Sequence, residues 1–141
     1  MAGMDRSNLQ QWLDRYVEAW RANAREPIDA LFTDDVVYRF APYGEKNVAR
    51  GREAVVSAWL ENPDPPDSWE AHYEPFAVDG DAAVATGYSR YFAHGDEPER
   101  TYRNVYLMRF APDGRCAEFT ELYMKEQPDK GEQPDQAQPA G

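Results

Sequence analysis

The sequence predicts an α+β fold, with helices gathered on one face of a curved, mostly antiparallel sheet. Three observations carry that prediction. Apolar residues recur at helical spacing in three segments before position 61. Strand-like stretches then fill positions 69–125. Turn-forming pairs, Asp79-Gly80 and Asp113-Gly114, interrupt those stretches where hairpins would turn. At 141 residues the chain has the size of one domain.

The first helix is signalled by Ser7-Asn8-Leu9-Gln10, which fits a capping box with Ser7 as N-cap and Gln10 reaching back. Leu9, Trp12, Leu13, Tyr16, Val17 and Trp20 then form one broad apolar face. A second, short helix is expected to open at Pro27 and run through Ile28, Ala30, Leu31 and Phe32. Val36-Val37-Tyr38-Arg39-Phe40 reads as a strand ended by Pro42 and Gly44. Helical spacing returns from Gly51 to Leu60, and the proline-rich run from Asn62 to Asp67 is a loop. Strands follow at Trp69–Val78, Ala82–Phe92, Thr101–Phe110 and Arg115–Lys125. The segment 127–141 holds no large apolar side chain. It is expected to be a disordered, acidic Pro/Gln-rich tail beyond a folded domain at 1–126.

Composition excludes some functions. Fifteen Lys and Arg stand against 26 Asp and Glu, a formal charge of −11. Nucleic acid and anionic membranes are held by clustered cations, so neither is an expected partner. The longest apolar runs, such as Ala82–Ala85, are a few residues long, whereas a membrane span needs roughly 20. The N-terminal residues lead into no apolar signal segment. One cysteine, Cys116, permits no intrachain disulfide, which suits a reducing cytoplasm. With two histidines and one cysteine, no zinc site forms without carboxylates. His72 sits between Glu70 and Glu74 on a polar strand face, and His94 lies in a turn.

Four stretches together resemble the nuclear transport factor 2-like superfamily and, within it, the SnoaL-like group. They are Leu13-Asp14-Arg15-Tyr16-Val17-Glu18-Ala19-Trp20, Ala30-Leu31-Phe32-Thr33-Asp34-Asp35-Val36, Gly51-Arg52-Glu53-Ala54-Val55, and the four final strands. The resemblance spans about residues 7–126. It implies a conical α+β barrel whose sheet wraps the first helix and leaves an open pocket. Members include a ketosteroid isomerase, polyketide cyclases, an epoxide hydrolase, dehydratases and many proteins that only bind, so the fold implies a pocket and not a reaction.

Each strand offers two faces. On the last two strands one face carries Tyr102, Asn104, Tyr106, Met108 and Phe110, with Phe119, Glu121 and Tyr123. On the middle strand the choice lies between Val84, Thr86, Tyr88, Arg90 and Phe92 and the set Ala83, Ala85, Gly87, Ser89 and Tyr91. Larger aromatics favour the first set as concave, and the resemblance to the isomerase-like members implies that this set lines the cavity, with Tyr16 entering from the first helix. Trp12, Tyr16, Trp59, Tyr88, Arg90, Asn104, Tyr106, Glu121 and Tyr123 would then surround one space, apolar walls with a few convergent polar groups. Two readings stand for Arg90 and Glu121: an orienting functional pair, or a structural ion pair beneath the sheet. Tyr16 and Trp12 equally fit an ordinary helical core stripe.

By resemblance to the isomerase, Tyr16 matches the helix-one donor of its oxyanion hole. Tyr106 stands where that family carries an acid. Phe40 or Ala41 stands where it carries the proton-abstracting carboxylate. Arg103 and Glu121 only partly echo the epoxide-hydrolase Asp-Arg-Asp pattern. The expected function is a pocket for a small apolar or aromatic, oxygen-bearing metabolite. Glu121 would act as base or acid, Tyr16 and Tyr106 as donors and Arg90 as orienting cation, with no metal or organic cofactor. The alternative is a non-catalytic dimerisation or protein-interaction domain with its cavity filled by aromatics. Val105, Leu107, Leu122 and Met124 point to the convex face, where an apolar patch would join a homodimer.

Overall fold

A computed structural model describes residues 4–128. The tail expected from residue 127 lies outside the described residues apart from its first two positions. In chain order the elements are helix α1 (Arg6–Ala22), helix α2 (Arg25–Asp29), strand β1 (Phe32–Arg39), strand β2 (Val48–Arg50), helix α3 (Arg52–Glu61) and strands β3 (Trp69–Asp79), β4 (Ala82–Tyr91), β5 (Arg100–Phe110) and β6 (Cys116–Lys125). The strands form one sheet in the order β2-β1-β6-β5-β4-β3. It curves into an α+β cone but does not close. Every neighbouring pair is antiparallel except β1 with β6, which run parallel.

Helix α1 is capped two residues ahead of expectation. Asp5, not Ser7, is the N-cap, its carboxylate accepting from the Asn8 backbone N–H at 2.7 Å. Gln10 therefore has no box to close, and its amide binds Asp14 and the Tyr73 carbonyl instead. At the other end Asn23 adopts the left-handed conformation (φ 51°) and returns its N–H to Ala19 O. Between the caps, Leu9, Trp12, Leu13, Tyr16 and Ala19 are buried.

The chain from Leu31 onward departs from the helical reading. Phe32 opens β1, because Leu31 O and Phe32 are drawn into pairing with Cys116 of β6. Strand β2, three residues long, carries no usable sequence period. It forms because Val37, Tyr38 and Arg39 offer it a free edge. The Asp79-Gly80 turn behaves as its composition dictates, Gly80 at φ 65° joining β3 to β4.

The core lies between α1 and the inner sheet face. Trp12, Phe32, Tyr38, Phe119 and Ile28 are fully buried, each such side chain contributing about 2–3 kcal/mol of transfer free energy. Strand β5 alternates cleanly: Asn104, Tyr106, Met108 and Phe110 are buried while Arg103, Val105, Leu107 and Arg109 are exposed. Among the described residues no helix is long and apolar enough to cross a membrane.

Candidate functional site

Register fixes which side chains share the inner face. On β5 and β6, Tyr106 faces Glu121, Asn104 faces Tyr123 and Met108 faces Phe119. These follow the parity expected from the sequence. Strand β4 does not. Ala85 pairs with Tyr106, Gly87 with Asn104 and Ser89 with Tyr102, so Ala83, Ala85, Gly87, Ser89 and Tyr91 look inward. Tyr88 and Arg90 occupy the outer face.

The reason is volume. A Cβ on Gly87 would lie 2.6 Å from the Tyr73 ring and meet the His72 carbonyl. Small side chains on β4 make room for the rings of Tyr73 and Tyr106, which lie 4.9 Å apart centroid to centroid. Arg90 consequently makes no pair with Glu121. It lies between Glu70 and Glu99, at 3.5 and 3.2 Å.

Beneath α1 the inner face lines an open cavity of about 540 Å³, a size that suits a small organic molecule. Tyr16, Trp59, Asn104, Tyr106, Glu121 and Tyr123 line it, as do Tyr38, Phe40, Ser89, Tyr91, Tyr102 and Arg100, which the site expected from sequence lacked. Trp12 is not in the wall. It is fully buried, donates its indole N–H to Leu31 O at 3.1 Å and packs edge-on against Phe32 and Phe110. Arg103, considered for the epoxide-hydrolase pattern, points outward to Glu126 at 2.7 Å.

Tyr38 is the residue whose absence from the site expected from sequence matters most. Its hydroxyl donates to Glu121 Oε2 at 2.9 Å and meets the Tyr16 hydroxyl at 3.0 Å. Each hydroxyl has one proton. With Glu121 ionised, Tyr38 spends its proton on the carboxylate and so accepts from Tyr16. The chain therefore runs Tyr16 to Tyr38 to Glu121. A sequence signal for Tyr38 existed in the period of β1, which puts Val36, Tyr38 and Phe40 on one face. Placing that face against Glu121 required the parallel pairing Tyr38↔Phe119.

The electrostatics follow from enclosure. Burial pushes the Glu121 carboxyl up to about 7, while the hydrogen bond from Tyr38 pulls it the other way. Burial likewise holds Tyr16, Tyr38 and Tyr106 well above the usual phenol range, so all three remain neutral donors. Burial also raises the Cys116 thiol, which leaves it inert. Arg100 is the guanidinium lining the cavity. It lies against the Tyr91 ring at 4.8 Å with Glu97 at 3.8 Å. It lies six positions before Tyr106 on β5, roughly 20 Å along the strand. Among the described residues no three His, Cys, Asp or Glu side chains gather into a metal-holding group.

An open α+β cone with a cavity between its sheet and first helix is the architecture of nuclear transport factor 2-like proteins, and solved structures agree. An NTF-2 like protein of unknown function from Burkholderia xenovorans LB400 superimposes with a TM-score of 0.67 at 17% identity, over 99% of this chain and 100% of that one. A protein of unknown function with a cystatin-like fold from Methylobium petroleophilum PM1 gives 0.62 at 14%, over 90% and 82%. An M. tuberculosis LEH-like epoxide hydrolase gives 0.61 at 12%, over 84% of each chain. At such identities the likeness establishes the fold alone. A search of curated proteins returns no match. The SnoaL-like domain profile matches residues 13–119, and the chain belongs to that family.

Proposed function

We propose that this protein binds a small, largely apolar, oxygen-bearing molecule and exchanges a proton with it through Glu121. One observation carries the reading: a carboxyl group inside an aromatic cavity, poised near neutrality and held by a tyrosine hydrogen bond with no cation beside it. A general base works best when its acidity constant matches the working pH. The reaction class is isomerisation, cyclisation or dehydration.

The step balances in terms of this chain's atoms. Glu121 takes the proton from a carbon next to a carbonyl. The C–H electron pair becomes the new C=C, and the carbonyl π pair moves to oxygen. Tyr106, across the strand pair from Glu121, donates to that oxygen. Tyr16 acts through Tyr38 to hold the base, since its own proton is already committed. Arg90 has no part, because it lies on the outer face.

Hexanophenone, an enolisable aryl ketone, provides the test. In D2O the protein should speed deuterium uptake at its α-carbon. The rate should rise with pH through about 7 as Glu121 ionises, and Glu121→Gln should lower it about 100-fold or more. Tyr38→Phe removes a donor to the carboxylate and should move the midpoint upward. Uptake that is unchanged by Glu121→Gln overturns the reading.

A second reading rests on the outer sheet face. Val105, Leu107 and Met124 are exposed there, with Leu122 half-buried beside them. We propose that two copies pair through this patch. Light scattering at micromolar concentration should give twice the 16.2 kDa chain mass. A monomer mass would refute the pairing.

A further inference from the structure

Ser89 and Asn104 are the buried polar side chains, tyrosines aside, among the described residues. They touch each other: Ser89 Oγ donates to Asn104 Oδ1 at 3.0 Å. Behind Ser89 stands the Tyr73 hydroxyl, hydrogen-bonded to the same Oγ. Ser89 spends its one proton on Asn104 Oδ1, so the Tyr73 hydroxyl donates to Ser89 Oγ and the protons run from Tyr73 to Ser89 to the Asn104 carbonyl oxygen. That ordering turns the Asn104 NH2 away from Ser89. Among the described residues no side chain or carbonyl accepts from it, and Asn104 lines the cavity.

The NH2 is left facing the open cavity, where a ligand oxygen can accept from it in place of water. Asn104 lies two positions before Tyr106 on the same face of β5, about 7 Å away along the strand. Glu121 sits across from Tyr106. The cavity floor thus has two polar stations, one built on Glu121 and one on Asn104, with aromatic surface between and around them.

We propose that Asn104, oriented by Ser89 and Tyr73, selects the ligand by donating to a second oxygen, so that the substrate class is an apolar molecule with two oxygen functions several bonds apart. This rests on the proton-transfer reading for the first station. Asn104 is the residue that meets the ligand. Ser89 and Tyr73 act through it as positioning residues.

Two matched probes test the assignment: hexanophenone and its 5-oxo derivative, which adds one carbonyl. Calorimetric titration of the full chain should show the diketone bound about tenfold more tightly, the worth of one added hydrogen bond to a buried donor. Asn104→Leu should bring the ratio to about one, and Ser89→Ala should lower it while leaving Asn104 in place. A merely structural role for Asn104 would weaken both probes alike and leave the ratio unmoved. Should Asn104→Leu fail to fold, Asn104→Asp keeps the size but presents acceptors, and the ratio should fall below one. A wild-type ratio near one, or a tenfold ratio that survives loss of the Asn104 amide, overturns the proposal. If that happens while Glu121-dependent deuterium uptake persists, only the Asn104 assignment fails. If neither probe binds and no uptake occurs, both readings fail.

Discussion

Strands β4 and β5 lie side by side in the same sheet, yet they fill the space above them in opposite ways. β5 sends Tyr106, Met108 and Phe110 inward and leaves Val105 and Leu107 outside. β4 sends Ala83, Ala85, Gly87 and Ser89 inward and carries Tyr88 and Arg90 outside. The large residues of one strand need the small residues of the other, because Tyr73 on β3 and Tyr106 on β5 lean over β4 and take the volume its own side chains would use. The cavity exists because that exchange stops at Ser89, where the rings give way to a polar chain.

Four experiments break or sharpen this contrast. Tyr106→Ala on β5 should be the costliest, about 3–5 kcal/mol by urea unfolding, since it deletes a buried ring packed against Tyr16, Tyr73 and Phe119. A loss below 1 kcal/mol would mean the ring does not support the wall.

Glu121→Gln comes next, and its effect depends on pH. The native carboxyl ionises near 7, above its unfolded value of 4.5. The folded state is therefore most favoured below the unfolded value and loses stability as pH rises through 7. That loss builds up between 4.5 and about 7, reaching about 1 kcal/mol at pH 5 and about 3 kcal/mol at pH 8. The glutamine variant lacks this loss, so its unfolding free energy relative to wild type should climb across that interval. A flat difference would place the carboxyl in ordinary solvent.

Gly87→Ala on β4 adds a single methyl yet should cost about 2 kcal/mol, because the new Cβ meets the Tyr73 ring and the His72 backbone. Full stability would contradict the close approach of β3. The smallest effect belongs to the outer face of β4. Tyr88→Ala and Arg90→Ala should each stay within about 0.5 kcal/mol and leave hexanophenone binding unaltered, the Arg90 ion pairs being solvent-exposed. A loss of ketone binding in either variant would return those residues to the cavity.

Much of this arrangement was legible before any coordinates. The apolar stripe of α1, the hairpin at Asp79-Gly80 and the inward face of β5 and β6 follow from local spacing, and the family resemblance converted them into a cone with a pocket. Glu121, Tyr16, Tyr106, Trp59, Asn104 and Tyr123 line one cavity, a grouping that the sequence suggests through strand period, the preference for larger aromatics on the concave face and the family resemblance together. Trp12 was misplaced because a helical stripe does not say which of its members reaches the cavity and which stops in the core. Asp5 displaced Ser7 as the N-cap, since several residues near a helix start compete for the same backbone donors.

Sequence alone therefore determined the order of elements and the two candidate faces of every strand, because both depend on neighbours a few residues apart. Tertiary structure decided which face of β4 is buried, and that Tyr38 reaches Glu121 across 83 positions of chain. Those outcomes depend on volume already claimed by other strands and on a parallel pairing between distant segments, quantities that no local period encodes.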